Sequence, residues 1–321
     1  MNGTHIPFPH PRTVRFAERA SGHDPIQRVL AVVDLGAVRR PALDKAARLA
    51  SAFGATLELY ACESAEAMPT SWAGGSTLAQ YRSVIRERRL ALMEELAAPY
   101  RHAGLNVTTT HEYRARPEEG LVIHAIRSGA NLIVKDVSRH ASGDADRALI
   151  AHLPMPLMLV RAAAWGEKPR IATSLDPCRS GERPVELDES VAALGASVSR
   201  ALGGVSFAVH ALEGPAHLPG DVVPESEKQA VFERQRARVL ALVCHASLDD
   251  REVRFVERRV PEGIVQLVNE TQPSILVMGV AARPRAAKYG GGTASDVLNQ
   301  TACDLLVVKP TGFISPAMVT E

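Results

Sequence analysis

The chain repeats itself. Residues 119–134, running from Glu119-Gly120-Leu121-Val122 to Leu132-Ile133-Val134, align without a gap on residues 262–277, from Glu262-Gly263-Ile264-Val265 to Ile275-Leu276-Val277. The match extends in both directions. Near the start of each half an apolar run ends in an acid, Asp34 after Arg28–Val33 and Asp176 after Ile171–Leu175. Leu59-Tyr60-Ala61 matches Val209-His210-Ala211, and Leu157-Met158-Leu159-Val160-Arg161 matches Leu305-Leu306-Val307-Val308-Lys309. The period is roughly 145 residues, far too long for a solenoid repeat, so two complete units stand in tandem.

Each unit must satisfy its own hydrophobic pattern. In the first, strand-like runs at 28–34, 56–61, 106–112, 132–134 and 157–160 alternate with helical patterns at 41–53, 77–102, 117–128 and 144–152. Five strands alternating with four helices predict a doubly wound parallel sheet. Gly54 and Gly104 stop two of the helices. Residues 1–26, punctuated by Pro7, Pro9 and Pro11, read as a flexible arm, and Ala162–Pro169 (AAAWGEKP) as a linker. The units are then 27–161 and 170–310, with a tail at 311–321. Each last strand is an apolar edge that would aggregate if left bare. The two are therefore expected to pair within the chain as a pseudo-dimer about an approximate two-fold axis. A further dimer of chains stays open.

Composition removes several classes of function. A net charge of +1 gives no global attraction to nucleic acid or an anionic membrane, and 4 % aromatic residues leave little for base stacking. No run approaches the ~20 apolar residues of a membrane span, and the first residues lack a signal-peptide core. The four cysteines (Cys62, Cys178, Cys244, Cys303) are far apart and read as reduced, mostly buried thiols. The expected location is the cytoplasm. HExxH, GxSxG, Walker A and paired Cys/His spacings are all absent from the sequence. His124 and His210 read as packing residues, and Arg86-Glu87-Arg88-Arg89 as the solvated face of the long helix.

One stretch carries chemistry. Residues 273–310 read PSILVMGVAARPRAAKYGGGTASDVLNQTACDLLVVKP: strand, glycine-bearing loop, helix, strand. Backbone N–H groups at such a helix start can hold an anion, and glycine lets a phosphate approach the main chain. Here the sequence resembles the universal stress protein family, whose nucleotide-binding members carry Gly-x2-Gly-x9-Gly-(Ser/Thr). Gly279, Ala282, Gly292 and Thr293 stand at those positions, with nine residues from Arg283 to Gly291 between the second and third. The spacing is kept, and the second glycine is alanine. The resemblance covers almost the whole chain after residue 27 and points to the tandem, two-domain bacterial subgroup. It implies a Rossmann-like, HUP-type α/β fold of strand order 3-2-1-4-5 in each unit. It also implies an adenine-nucleotide site, with ATP the expected ligand. Asp176 would lie near base or ribose, while Gly279, Gly292, Thr293 and Ala294 would offer donors to ribose and phosphates. Arg283, Arg285 and Lys288 either neutralise phosphate charge or form a solvated loop.

The first unit departs from this pattern. Asp136 stands where Gly279 stands and Arg139 where Ala282 stands, and the interval to the last strand is five residues shorter. A carboxylate is electrostatically wrong for a phosphate cradle. Asp34 and Asp136 are left either to line a polar pocket or to enter a loop salt bridge with Arg139 or Arg147. One nucleotide per chain at most is expected, in a non-enzymatic stress-response or signalling protein. A nucleotide-free interaction scaffold is the alternative. A slow ATPase is a third reading, although no base or metal-binding acid accompanies the glycine loop.

Overall fold

The computed structural model describes residues 26–64, 75–138, 144–178, 185–214, 223–246, 248, 252–281 and 292–313. The first half contains β1 (Arg28–Val32), α1 (Pro41–Phe53), β2 (Thr56–Ser64), α2 (Gly75–His102), β3 (Val107–Arg114), α3 (Pro117–Ser128), β4 (Leu132–Asp136), α4 (Asp144–His152) and β5 (Leu157–Val160). The second contains β6 (Arg170–Ser174), α5 (Val185–Ala201), β7 (Val205–Ala211), α6 (Glu225–His245), β8 (Arg254–Val256), α7 (Glu262–Thr271), β9 (Ile275–Gly279), α8 (Thr293–Gln300) and β10 (Asp304–Val308). Local chemistry explains the helix ends. Pro41 and Pro117 open α1 and α3, where a missing N–H costs nothing, and Gly54 and Gly129 close them in the left-handed conformation at φ 62° and 68°.

The strands form one ten-stranded sheet in the order β3-β2-β1-β4-β5-β10-β9-β6-β7-β8. Within each half the order is 3-2-1-4-5 and the pairing parallel. The halves meet at β5 and β10, which run antiparallel with Leu159 opposite Leu305 and Leu157 opposite Val307. This is the pairing that the two apolar edges demanded. The sheet, rather than the boundary between halves, divides the core. Met158 and Leu306 lie with α1, α2, α5 and α6 residues on one face, while Leu157, Leu159, Leu305 and Val307 lie with α3, α4, α7 and α8 on the other.

Several boundaries differ from the sequence expectation. β2 continues from Ala61 to Ser64 because β3 also runs on, so that Cys62, Glu63 and Ser64 pair with Glu112, Tyr113 and Arg114. β1 ends at Val32, short of Asp34. Ile26, assigned to the arm, is buried in the core, and residues 1–25 lie outside the described residues. Of the four cysteines only Cys303 is buried, while Cys244 is exposed. Arg89 is not merely solvated, since its guanidinium donates to Glu63 Oε1 at 2.8 Å.

Polar contacts lock the seam. Asp304, 2 % exposed at the start of β10, accepts from Lys45 Nζ of α1 (2.7 Å), the Arg161 amide (2.7 Å) and Trp165 Nε1 of the linker (2.6 Å). Burial pushes its carboxyl above the ordinary value even against these donors. The residue after each final strand then reaches across to a helix end of the other half. The Arg161 guanidinium donates to Leu298 O in α8, and Lys309 Nζ to Ala151 O in α4 at 3.3 Å. Cations at helix C-termini satisfy carbonyls that have no intrahelical donor. Burial holds the Lys309 ammonium down to about 8, and burial together with Lys309 lowers the neighbouring His152 imidazole.

Two predictions follow from this seam. Asp304→Ala strands an ammonium, an amide and an indole N–H at once, whereas Lys45→Met leaves Asp304 two of its donors. We predict that Asp304→Ala costs on the order of 3–5 kcal/mol in urea unfolding and exceeds Lys45→Met. Equal losses would show that the ion pair, not the three-donor node, matters. For Lys309, the unfolded chain holds its proton to pH ~10.4 and the fold only to about 8, so stability rises with pH across that window. Wild type should therefore gain on Lys309→Met, by up to about 3 kcal/mol, between pH 7 and pH 10. Parallel pH curves for the two proteins in thermal unfolding would refute it.

Candidate functional site

In an open α/β sheet of this order, the ends of strands 1 and 4 diverge and leave a crevice beyond their carboxyl ends. In the second half these are the ends of β6 and β9, which pair as far as Ser174 and Met278. Asp176 follows β6 by two residues, and Gly279 is the last residue of β9. Gly292 is the N-cap of α8, followed by Thr293 and Ala294. The fold thus brings Asp176, Gly279, Gly292, Thr293 and Ala294 to one end of the sheet. Ala282 and Arg283, with the whole of 282–291, lie outside the described residues.

The start of α8 carries no side-chain cap among the described residues. The Ser295 and Asp296 amides return to Gly292 O at 2.8 and 3.1 Å. Among the described residues the Thr293 and Ala294 amides have no acceptor. Ala294 has its methyl buried in the core, so only its main chain can serve a ligand. Gly292 has φ −74°, ordinary for any residue, and a Cβ placed on it would meet nothing within 4 Å. The fold itself does not require glycine there.

The Asp176 turn is held by residues that the sequence reading missed. Asp188, 2 % exposed in the first turn of α5, accepts the Asp176 amide on Oδ1 at 2.9 Å. An acid in a helix's first turn was the available signal. His210 is more than packing: one ring nitrogen lies 2.7 Å from Leu175 O and the other 3.2 Å from Gln235 Oε1. Gln235 in turn donates to Glu213 O, and Glu213 Oε1 accepts the Val260 amide. Burial, opposed by Arg238, raises the Cys178 thiol beside this turn, which argues against a nucleophile.

The same region of the first half is filled by its own carboxylates. Asp34 Oδ1 accepts the Gly36 amide at 2.8 Å and so closes its own turn. Asp136 Oδ1 accepts the Ala42 amide at 3.0 Å, at the N-terminus of α1. Asp146, 3 % exposed, takes Lys135 Nζ (2.8 Å), the Ser138 amide (2.7 Å) and the Ser138 hydroxyl (2.9 Å). Counted back from the matched final strands, Asp146 stands where Ala294 stands in the second half. The Gly36, Ala42 and Ser138 amides and the Lys135 ammonium are thus engaged by the chain itself.

A second polar cluster sits under α3. Glu58, 3 % exposed on β2, accepts from Arg28 (3.4 Å) and Thr110 (3.2 Å), and its Oε1 lies 2.6 Å from His124 Nε2. The His124 ring stacks on Tyr60 with centroids 4.4 Å apart. Burial alone would raise the Glu58 carboxyl; the His124 contact, then Arg28 and Thr110, outweigh it and hold the group below its ordinary value. His124 is therefore a structural tie between α3 and the sheet. Among the described residues no group of three or more His, Cys, Asp or Glu could hold a metal ion, and no helix is long and apolar enough to cross a membrane.

Comparison with known proteins places this geometry. The sequence profile of the universal stress protein family matches residues 25–161 and again residues 185–309. Universal stress protein E of Escherichia coli K12 is 25 % identical over 316 residues, 92 % of this chain and 98 % of the relative. The protein of the same name from Salmonella typhi is 25 % identical over 315 residues, with the same coverage. Among solved structures, a protein of unknown function from Pseudomonas aeruginosa PAO1 superposes with a TM-score of 0.70 at 18 % identity, covering 89 % of this chain and 93 % of that one. A universal stress protein from Archaeoglobus fulgidus gives 0.62 at 12 % identity, covering 89 % and 97 %. Two matched units, each with the strand order and crevice described above, make the chain a tandem member of the universal stress protein family.

Proposed function

We propose that the protein is a non-enzymatic, cytoplasmic stress-response or signalling protein that holds one adenine nucleotide, ATP, per chain. The ligand sits in the second unit, residues 170–310, among Asp176, Gly279, Ala282, Arg283, Gly292, Thr293 and Ala294. The first unit, 27–161, keeps the fold without the site, and 162–169 links the two. The observation that carries this reading is the contrast between the two crevices. The second offers amides at an uncapped helix start beside a glycine that the fold does not need. In the first, Asp136 and Asp146 take the Ala42 and Ser138 amides at the same end of the sheet.

The phosphates would lie at the start of α8, where the amides of Thr293 and Ala294 and the helix dipole favour negative charge. The absence of a Cβ at Gly292 lets a phosphate come close to the main chain. Asp188 would act through Asp176, by fixing the turn that presents it. Among the described residues no group of three or more His, Cys, Asp or Glu could hold a metal ion there, and the ligand is read as a signal rather than a substrate.

Calorimetric titration with ATP, run beside a phosphate-release assay, tests this. One site per chain without turnover is expected. Gly292→Val should fold normally, because the side chain meets open space, and yet lose the nucleotide. Asp136→Ala should lower stability by about 1 kcal/mol through the lost α1 cap and leave affinity unchanged. Two equivalent sites, or binding that survives Gly292→Val and vanishes with Asp136→Ala, would overturn the assignment. An absence of binding favours the scaffold reading, and steady phosphate release the ATPase. Ala282→Gly should leave affinity unchanged or raise it by up to about tenfold, as expected if the loop prefers φ > 0 there. Marked weakening would mean that the loop's role was misread.

A further inference from the structure

A groove of about 580 Å³ lies between α1, α2 and the linker that follows β5. None of its lining residues is among those placed above at the strand-end crevices. Three arginines, Arg39, Arg40 and Arg48, are among its lining residues. Arg40 donates through Nε to Asp34 O (3.0 Å) and through Nη2 to Leu35 O (3.2 Å). Arg48 donates to the carbonyls of Gly166 and Glu167, each at 2.9 Å, and to Trp165 O at 3.4 Å. Uncharged carbonyls fix both groups in place without neutralising them. Arg39 has no partner among the described residues and is exposed. The lining ammonium of Lys45 is already paired with Asp304.

The opposing charge is smaller. Among the described lining residues only Asp44 and Glu95 bring carboxylates, and Asp44 Oδ1 already accepts the Tyr100 hydroxyl at 2.7 Å. The rest of the wall is apolar or aromatic. Leu96 and Pro99 come from α2, beside the Tyr100 ring. Trp165 closes the linker side, with Lys45 and Arg48 over its ring at 5.2 and 5.8 Å from the centroid. Pre-fixed cations beside flat apolar walls suit an anion with a flat body, because little ordering is left for binding to impose.

We propose that this groove is a second ligand site, independent of the nucleotide site, for a small phosphate monoester with a flat apolar body. The phosphate lies against Arg39 and Arg40 at the start of α1, and the body against Leu96, Pro99 and Tyr100. Trp165 is close enough to report occupancy, and it is one of only two tryptophans, the other being Trp72.

The test uses the full chain with Trp72→Phe, which leaves Trp165 as the sole tryptophan. Phenyl phosphate is the probe, with inorganic phosphate and phenol as separate arms. Saturable change in Trp165 fluorescence with Kd below about 1 mM is expected for phenyl phosphate, with weaker binding of either fragment. Arg39 is exposed and makes no hydrogen bond or ion pair with another described residue, so Arg39→Glu should keep the fold by circular dichroism and weaken phenyl phosphate at least about fivefold, the size expected of one lost exposed charge contact made repulsive. Gly292→Val should leave this binding unchanged. Absence of saturable binding, an unaffected Arg39→Glu variant, or loss with Gly292→Val would overturn the proposal. Equal binding of inorganic phosphate or phenol would also overturn it, by removing the need for a charged head joined to a flat body.

Discussion

Everything in this molecule depends on one antiparallel contact, β5 against β10. Each half alone would end in a bare, largely apolar edge strand, an arrangement that proteins avoid. Pairing the two edges satisfies their backbone groups and extends one core across both halves on each face of the sheet. Asp304 ties α1, the end of β5 and the linker to the same carboxylate. Arg161 and Lys309 bind the helices that flank the seam. The remaining sheet edges are β3, half-exposed and carrying Glu112 and Arg114, and β8, which is three residues long. Neither is a flat apolar template for another chain.

The described amides at the two crevices meet different partners. Among the described residues the Thr293 and Ala294 amides of the second half meet no acceptor, whereas in the first half Asp136 takes the Ala42 amide and Asp146 the Ser138 amide. A helix N-terminus favours negative charge whether it comes from solution or from the chain. In the first half the described carboxylates are taken up by internal contacts, and Glu58 with His124 adds another.

Much of the fold was legible in the sequence because it is written in periods. The gapless match of 119–134 to 262–277, the strand runs and the glycine stops fix two units and their order. Asp176, Gly279, Gly292 and Thr293 were legible as a spacing, and they do gather at one end of the sheet. What stayed hidden were single polar residues whose partners are distant. Lys45 and Asp304 are 259 positions apart, and neither carries a pattern that calls for the other. Asp146 and Asp188 look like ordinary acids in a helix's first turn until burial shows what their oxygens receive. The length of β2 was missed because Cys62, Glu63 and Ser64 are polar or small, and only their pairing with β3 makes them strand.

Two identical chains joined at such a seam would have to repeat every side chain on both sides of the axis. A single polypeptide is released from that rule. By the match of the final strands, the position of Asp304 in β10 corresponds to Pro156 before β5. One side of the axis carries a carboxylate gathering three donors, and the other a ring with no amide to offer. A duplicated, obligatory version would place a buried acid on each side and would need a second set of donors to receive it. Covalent fusion therefore changes what substitution can do: a residue at the joint, or in one crevice, can vary alone while its former twin holds the ancestral role. Divergence of the two halves is in this sense a freedom that the linker confers.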